Sequence, residues 1–283
     1  MARDYPLASY AVRQNKAACL IVTRHVLFPL SRLHRITLSR AARIIAVSQA
    51  VAGQVRADAV TKPAKISVVL NGIDAHKFES ASNRFSREEF FRSWGLPVNS
   101  MLVGTVGELT PLKGQENFLK AAAEVRKQVP NSHFIIAGTD NSRGNPNRAA
   151  LEQLIKELRL AEHVRMVGWV DELAQLYCAL DVFVSASQTE SFGLAIAEAM
   201  ASGTAVVATE TEGALEIIRP GLTGLLVPVG DVSQLASAIV DLLGDGEKRI
   251  RLGTAAQHAA VSQFSVGRMI EETERIYRAE IEV

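Results

Sequence analysis

The sequence predicts an α/β protein of two domains, each built on a parallel sheet. Three observations predict it. Short apolar runs rich in β-branched residues alternate with segments of helical period along most of the chain. The runs are apolar at consecutive positions, so both strand faces are covered, as in a parallel sheet between helices. The alternation breaks once, at a polar stretch containing Pro97, and then resumes.

The opening MARDYPLASYAVRQNK carries an acid at position 4 and no uninterrupted apolar core, so it does not read as a secretory signal. Strand candidates follow at CLIVT (19–23), RIIAV (43–47) and ISVVL (66–70). After ISVVLNGID comes AHKFESASNRFSREEFFRSWGLPVNS (75–100), polar and irregular. Alternation restarts at Met101 with strand MLVGTV, helix QENFLKAAAEVRKQV (115–129) and strand HFIIAG (133–138). It continues through helix RAALEQLIKELRL, strand HVRMVGW, helix ELAQLYCAL and strand DVFVSAS (181–187). Helix LAIAEAMAS, closed by Gly203, leads to strands TAVVAT and TGLLVPV and helix VSQLASAIVDLLG. The final pattern, FSVGRMIEETERIYRAEIEV, is amphipathic. These elements divide the chain into 1–75, part of a first α/β domain, and 76–98, a linker with a connecting helix. Residues 99–265 form a complete second α/β domain, and 266–283 a helix packing back on the first. Two or three strands with two helices are too few for a stable doubly wound layer, so the first domain reads as incomplete.

A content of 48% hydrophobic and 22% charged residues is that of a soluble globular protein. Two cysteines, Cys19 and Cys178, make neither a disulfide framework nor a metal site, which suits a reducing compartment. No apolar run approaches the ~20 residues needed to cross a bilayer. A cytoplasmic location is expected. The net charge of +1 divides into +7 over residues 1–60 and −6 over the remainder. Such a basic segment suits an anionic partner, a phosphorylated substrate or an anionic membrane surface touched peripherally at its inner face. A solvated helix face is the plainer account, since the arginines of LSRLHRITLSRAAR fall on one side. Nucleic acid is not an expected partner.

Three stretches carry candidate chemistry. In TESFGLAIAEAMASGT (189–204), Glu190 and Glu198 stand eight positions apart, and Glu198 lies in an apolar run where a carboxylate is costly unless something pairs with it. The stretch joins a strand to a helix, and ligands of open α/β sheets bind outside the carboxyl ends of strands. The N–H groups of Ser191, Phe192, Gly193 and Leu194 are placed to hold an anion, above all a diphosphate. Phe192 and Gly193 let the backbone approach closely. Glu198, one turn into the helix, suits a ribose diol, and Glu190, on the loop, suits a reacting group. In VGELTPLKGQENFLKAAAEV, Gly107, Lys113 and Gly114 occupy a strand–helix turn from which the lysine can reach a phosphate. The spacing is not that of a P-loop. In TEGALEIIRPGLTGLLVPVGD, Gly213 is read as preceding a short helix, Gly221 and Gly224 as turn residues, and Asp231 as a helix cap. His25 follows the carboxyl end of a strand, and no histidine belongs to a metal-binding pattern.

With its ordered companions IIAVSQA, VVLNGID, VGELTPLKG, FIIAG and VRMVGWV, the stretch TESFGLAIAEAMASGTAVVAT resembles the E-x7-E signature of retaining, nucleotide-sugar-dependent glycosyltransferases of the GT-B fold, family 4. The resemblance spans nearly the whole chain. It implies two Rossmann-like domains, the first incomplete because the chain begins late in it and most of the acceptor-binding half is absent. It implies that Glu190 contacts the transferred sugar near its anomeric carbon, and that Glu198 holds the ribose hydroxyls. Residues 191–194 would cradle the diphosphate, Lys113 would neutralise it, and His25 matches a family histidine that faces the cleft. No metal or cofactor is implied; the donor is a UDP- or GDP-linked sugar, the acceptor a glycan or lipid-linked hydroxyl. Lipopolysaccharide or surface-polysaccharide assembly is the setting implied. Two residues depart from the family: Glu108 stands where arginine is usual, and Glu212 where glycine is usual. Two other readings compete: a nucleotide-sugar-binding module without transferase activity, and a nucleotide-sugar epimerase, which shares the architecture.

Overall fold

A computed structural model describes residues 4–15, 18–58, 60, 62 and 65–281. They fall into two compact units, Met1–Gly72 with Phe264–Val283, and Ile73–Gln263.

The first unit carries helix α1 (Tyr5–Gln14), strand β1 (Ile21–Arg24), helix α2 (Arg32–Leu38), strand β2 (Arg43–Ala46), helix α3 (Gln49–Ala57) and strand β3 (Ile66–Val68). The strands form one parallel sheet in the order β1-β2-β3. Both helices after strands start on serine caps, Ser31 and Ser48, whose hydroxyls accept from backbone amides three residues on. Ile44, Ala46, Val51, Ala52 and Val55 close the core between sheet and helices. Asp58, 4% exposed, ties down the loop before α2 by accepting from Leu30 N and from Arg35 Nη2.

The second unit opens with two helices, α4 (Ala75–Ser82) and α5 (Arg87–Ser93), over the stretch expected to serve as a linker. Their caps are Asp74 and Ser86. Arg87 fastens α5 to the sheet, donating to Ser100 O, Ala179 O and, at 2.7 Å, Asp181 Oδ2, with its guanidinium 4.2 Å from the centre of the Phe91 ring. The remaining elements alternate without exception up to the last strand: β4 (Met101–Val106), α6 (Gln115–Gln128), β5 (Ser132–Ala137), α7 (Pro146–Glu157), β6 (Val164–Gly168), α8 (Leu173–Ala179), β7 (Val182–Ser185), α9 (Leu194–Ala201), β8 (Ala205–Thr209), α10 (Glu212–Ile217) and β9 (Leu225–Val227). Helices α11 (Val232–Gly244) and α12 (Gly246–Gln263) complete the unit. All six strands pair in parallel, in the order β6-β5-β4-β7-β8-β9. Consecutive apolar residues in β7 and β8 are buried on both faces, as their sequence demanded. The chain runs outward from β4 in one direction to β6, returns to β7, and runs outward the other way. The crevice at the carboxyl ends of β4 and β7 is therefore the switch point where doubly wound sheets bind ligands.

Helix α13 (Val266–Ile281) follows in the first unit. It is tied there by Gly72 N donating to Met269 Sδ and by Arg43 Nε donating to Glu280 Oε1 at 2.8 Å.

Candidate functional site

Two loops meet at the switch point. The one after β4 makes a 3-10 turn over Pro111–Lys113 and enters α6 through Gly114, whose φ is +68°. A Cβ at Gly114 would lie 1.9 Å from Ala186 O, so only glycine allows this loop to lie against the end of β7. Gln188 N donates to Leu112 O at 2.8 Å and joins the two loops directly. Lys113 thereby reaches Glu190, its Nζ 2.6 Å from Oε2, in a pair whose side chains are 33% and 16% exposed. Ser187 Oγ approaches the same carboxylate oxygen at 3.4 Å. Thr209 at the end of β8 braces the second loop by donating to Ser187 O.

Residues 190–194 turn from that ion pair into α9. Phe192 is 1% exposed, so its ring anchors the loop, while the approach of backbone to ligand falls to its neighbours. Gly193 caps the helix at φ +100°. Ser191 is half-buried and Leu194 exposed. The first-turn amides of α9 have no intrahelical acceptor and lie beside the Lys113–Glu190 pair. The amides form the positive end of the helix, suited to a diphosphate, and Lys113 is near enough to join them. Gly213 does not precede α10 but lies inside its first turn, and its N–H donates to Glu190 O at 2.9 Å. A Cβ there would fall 2.7 Å from Phe192 N and 2.8 Å from Glu190 O. The residue read as turn punctuation is thus the platform under the glutamate loop.

Glu198 faces a cavity of about 400 Å³ lined by Lys77, Phe78, Gly107, Glu108 and Trp169 among others. Its carboxylate is not left alone in its apolar helix: Tyr177 on α8 donates its hydroxyl to Oε2 at 3.0 Å. Burial raises the Glu198 pKa, opposed by the Tyr177 hydrogen bond and by the charge of Lys77. Glu108 is exposed, with Oε1 accepting from Asn141 Nδ2 at 3.1 Å, while its carbonyl accepts from Gln115 Nε2. Gly107 lies beside it at the end of β4.

The second unit therefore gathers Gly107, Lys113, Gly114, Glu190, Ser191, Phe192, Gly193, Leu194 and Glu198 around one crevice and one cavity. His25 belongs to the first unit, exposed on the loop after β1, next to the buried Arg24 whose guanidinium donates to Phe28 O. Tyr177, Lys77, Phe78 and Trp169 escaped the sequence reading. Trp169 carried one signal, a large aromatic just past a strand end. Among the described residues no cluster of three or more His, Cys, Asp or Glu side chains could hold a metal ion. No described helix is long and apolar enough to cross a membrane.

The model of the family described as glycosyl transferases group 1 matches residues 86–259, and that of Glycosyltransferase Family 4 matches residues 2–77. A D-inositol 3-phosphate glycosyltransferase of Corynebacterium urealyticum is 35% identical over 221 residues, covering 76% of this chain and 51% of that protein. The chain spans about half the length of the curated relatives it matches. Anabaena HepE, in its crystal structure with UDP-glucose, superposes with a TM-score of 0.91 at 25% identity, over 99% of this chain and 77% of that one. The C-terminal domain of LpcC, a group 1 glycosyl transferase from Francisella tularensis, superposes with a TM-score of 0.61 at 27% identity. It covers 69% of this chain and the whole of that domain. The expected α/β architecture of GT-B type is the one these neighbours share. By the family models and their span, this chain belongs to the glycosyl transferases group 1 family.

Proposed function

We propose that the second unit binds a nucleoside-diphosphate sugar and that the protein transfers its hexosyl group, with retention, to a hydroxyl acceptor. One observation carries the reading: Lys113 and Glu190, from loops 77 residues apart in sequence, meet at 2.6 Å beside the N-terminus of α9. Breaking the glycosidic bond develops positive charge on the sugar and negative charge on the departing diphosphate. The already oriented α9 amides and Lys113 Nζ, drawn from its pair, oppose the negative charge, and the Glu190 carboxylate serves the positive charge. Cations and helix amides do here what a divalent ion does in other transferases, so transfer is expected to be insensitive to EDTA. Glu198 accepts from the ribose diol, and the cavity beside it takes the base, with Trp169 at its mouth. The UDP-glucose held by HepE supports a UDP-linked hexose. The relatives named for D-inositol 3-phosphate support a small phosphorylated acceptor over a lipopolysaccharide one.

The test is calorimetric titration with UDP and GDP, followed by transfer assays with the matching sugar donors. Glu190→Ala is expected to lower transfer by about a hundredfold or more while retaining nucleotide binding, because its interactions form mainly in the transition state. Nucleotide binding with no transfer in the unmodified protein would instead make it a binding module.

A peripheral membrane contact is a further part of the proposal. Leu7 and Tyr10 on α1, and Leu33 and Ile36 on α2, are each at least 59% exposed, and the exposed Arg32 precedes Leu33. Such a face suits an anionic lipid surface. Sedimentation with phosphatidylglycerol vesicles, lost with Leu7→Glu and Ile36→Glu together, is the expected result; sedimentation unaffected by both changes would remove this part.

A further inference from the structure

Tyr177 takes no part in the chemistry above, yet among the described residues its hydroxyl makes the one side-chain hydrogen bond to the Glu198 carboxylate. The ring has no freedom to do anything else. It is fully buried and packs edge-on against Phe78, with centroids 5.9 Å apart, and against Phe183, at 5.5 Å. Its carbonyl accepts from Thr204 Oγ1 at 2.7 Å and from Leu180 N, which pins the end of α8. A phenylalanine would fill the same space without the cost of burying a hydroxyl. The hydroxyl is bonded to Oε2 of a glutamate that itself lines the cavity with Lys77, Gly107 and Trp169, and among the described residues no side chain donates to its Oε1.

We propose that Tyr177 is a positioning residue: it holds Oε2 of Glu198, leaving Oε1 to accept from the ribose diol of the donor. The proposal rests on the donor reading of the cavity. A glutamate side chain has three rotatable bonds, and in an open cavity it samples several rotamers. Tied at one oxygen by a ring that cannot turn, it presents the other in a single place. Such support of a ligand-binding group by an outer partner is what keeps a site geometrically defined.

The same bond makes a prediction about pH. Diol recognition requires the ionised carboxylate. Around Glu198 stand Tyr177 from α8, Lys77 from α4, Glu108 from the loop after β4 and Asp171 from the loop after β6. Burial raises the Glu198 pKa, and the hydroxyl and Lys77 oppose that rise. Removing the hydroxyl removes one of the two opposing influences, so the pKa rises further and nucleotide affinity falls off at higher pH than in the wild type.

The experiment measures affinity for UDP and for 2′,3′-dideoxy-UDP, or for the guanosine pair if GDP binds more tightly, from acid to mildly basic pH, so that the acid limb of each protein is followed. The full chain is used as wild type, Glu198→Ala and Tyr177→Phe. The wild type is expected to favour the ribose form, and Glu198→Ala to abolish that preference. Tyr177→Phe is expected to cut it about tenfold, the size of one charge-assisted hydrogen bond, and to move the acid limb to higher pH. A Tyr177→Phe protein with the full preference and the wild-type pH profile overturns the proposal and leaves the donor reading intact. A wild type with no preference between the two nucleotides overturns the ribose reading itself. Should Tyr177→Phe fail to fold, global 3-fluorotyrosine labelling serves instead, since Tyr5, Tyr10 and Tyr277 all belong to the first unit. The fluorinated phenol is a stronger donor of the same shape and is expected to move the acid limb to lower pH. An unmoved limb overturns the proposal.

Discussion

Lys113 and Glu190 neutralise each other, and a diphosphate in the proposed donor site would offer the lysine a partner of higher charge. The pair is half-buried, so each charge is partly stripped of water and would be costly left alone. On the proposed donor reading, binding would exchange one ion pair for another, with Lys113 pairing with the diphosphate and Glu190 facing the sugar. Lys113→Met removes the diphosphate contact and leaves Glu190 as an uncompensated negative charge beside the phosphates. Affinity for UDP is expected to fall by about ten- to a hundredfold, the worth of a hydrogen bond to a charged group, while uridine affinity is unchanged. Titration of both ligands checks this, and an equal loss for both would mean that the lysine shapes the loop instead of holding phosphate. Their convergence was legible because both lie on loops at the carboxyl ends of strands in one sheet, while their roles toward phosphate and sugar rest on the proposed function. Tyr177 was not, since its bond to Glu198 joins α8 to α9 across 21 positions and is written in no local pattern.

Among the elements, α10 shows how a short helix can act on a site without touching a ligand. Gly213 in its first turn carries the Glu190–Phe192 backbone at contact distance, and its N–H holds Glu190 O. Gly213→Ala would force the two segments apart. Overpacking of this kind costs about 1–3 kcal/mol, and here the displaced part is the diphosphate cradle. The expected outcome is a fall in UDP affinity of about tenfold or more, with a melting temperature lowered by a few degrees. Unchanged affinity would show that the loop is held mainly by Phe192. The nine strands among the described residues all overlap apolar runs read from the sequence, most plainly β7 and β8, because a strand buried on both faces leaves nearly nothing but apolar residues to read. Where α4 and α5 lie, the sequence reads as a linker with one connecting helix, and the second does not stand out. Their stretch is largely polar, and their burial rests on a few aromatic side chains, Phe78, Phe90 and Phe91. Ser86 and Glu89, three apart, were the one local signal, since serine followed by glutamate at that spacing starts helices. The cost of missing α4 was functional, for Lys77 and Phe78 line the Glu198 cavity.

For the whole molecule, the division of labour follows from which residues belong to which unit. Every residue proposed to meet the diphosphate and the ribose lies within Ile73–Gln263, whose six-stranded sheet has its own core. His25 and most of the basic excess of residues 1–60 belong to the other unit. A domain that owns its core should fold by itself, and the matching domain of the Francisella protein has a crystal structure on its own. A fragment of residues 73–263 is expected to unfold cooperatively and to bind UDP within about threefold of the full chain, a difference below 1 kcal/mol. It is expected to show no transfer, because the groups that would meet an acceptor are absent from it. Calorimetry on the fragment and the full chain, paired with a transfer assay, checks both halves of the expectation. Binding lost in a folded fragment would mean that residues outside 73–263 complete the donor site. Transfer retained by the fragment would mean that the acceptor is recognised by the second unit, and that His25 has no part in the reaction.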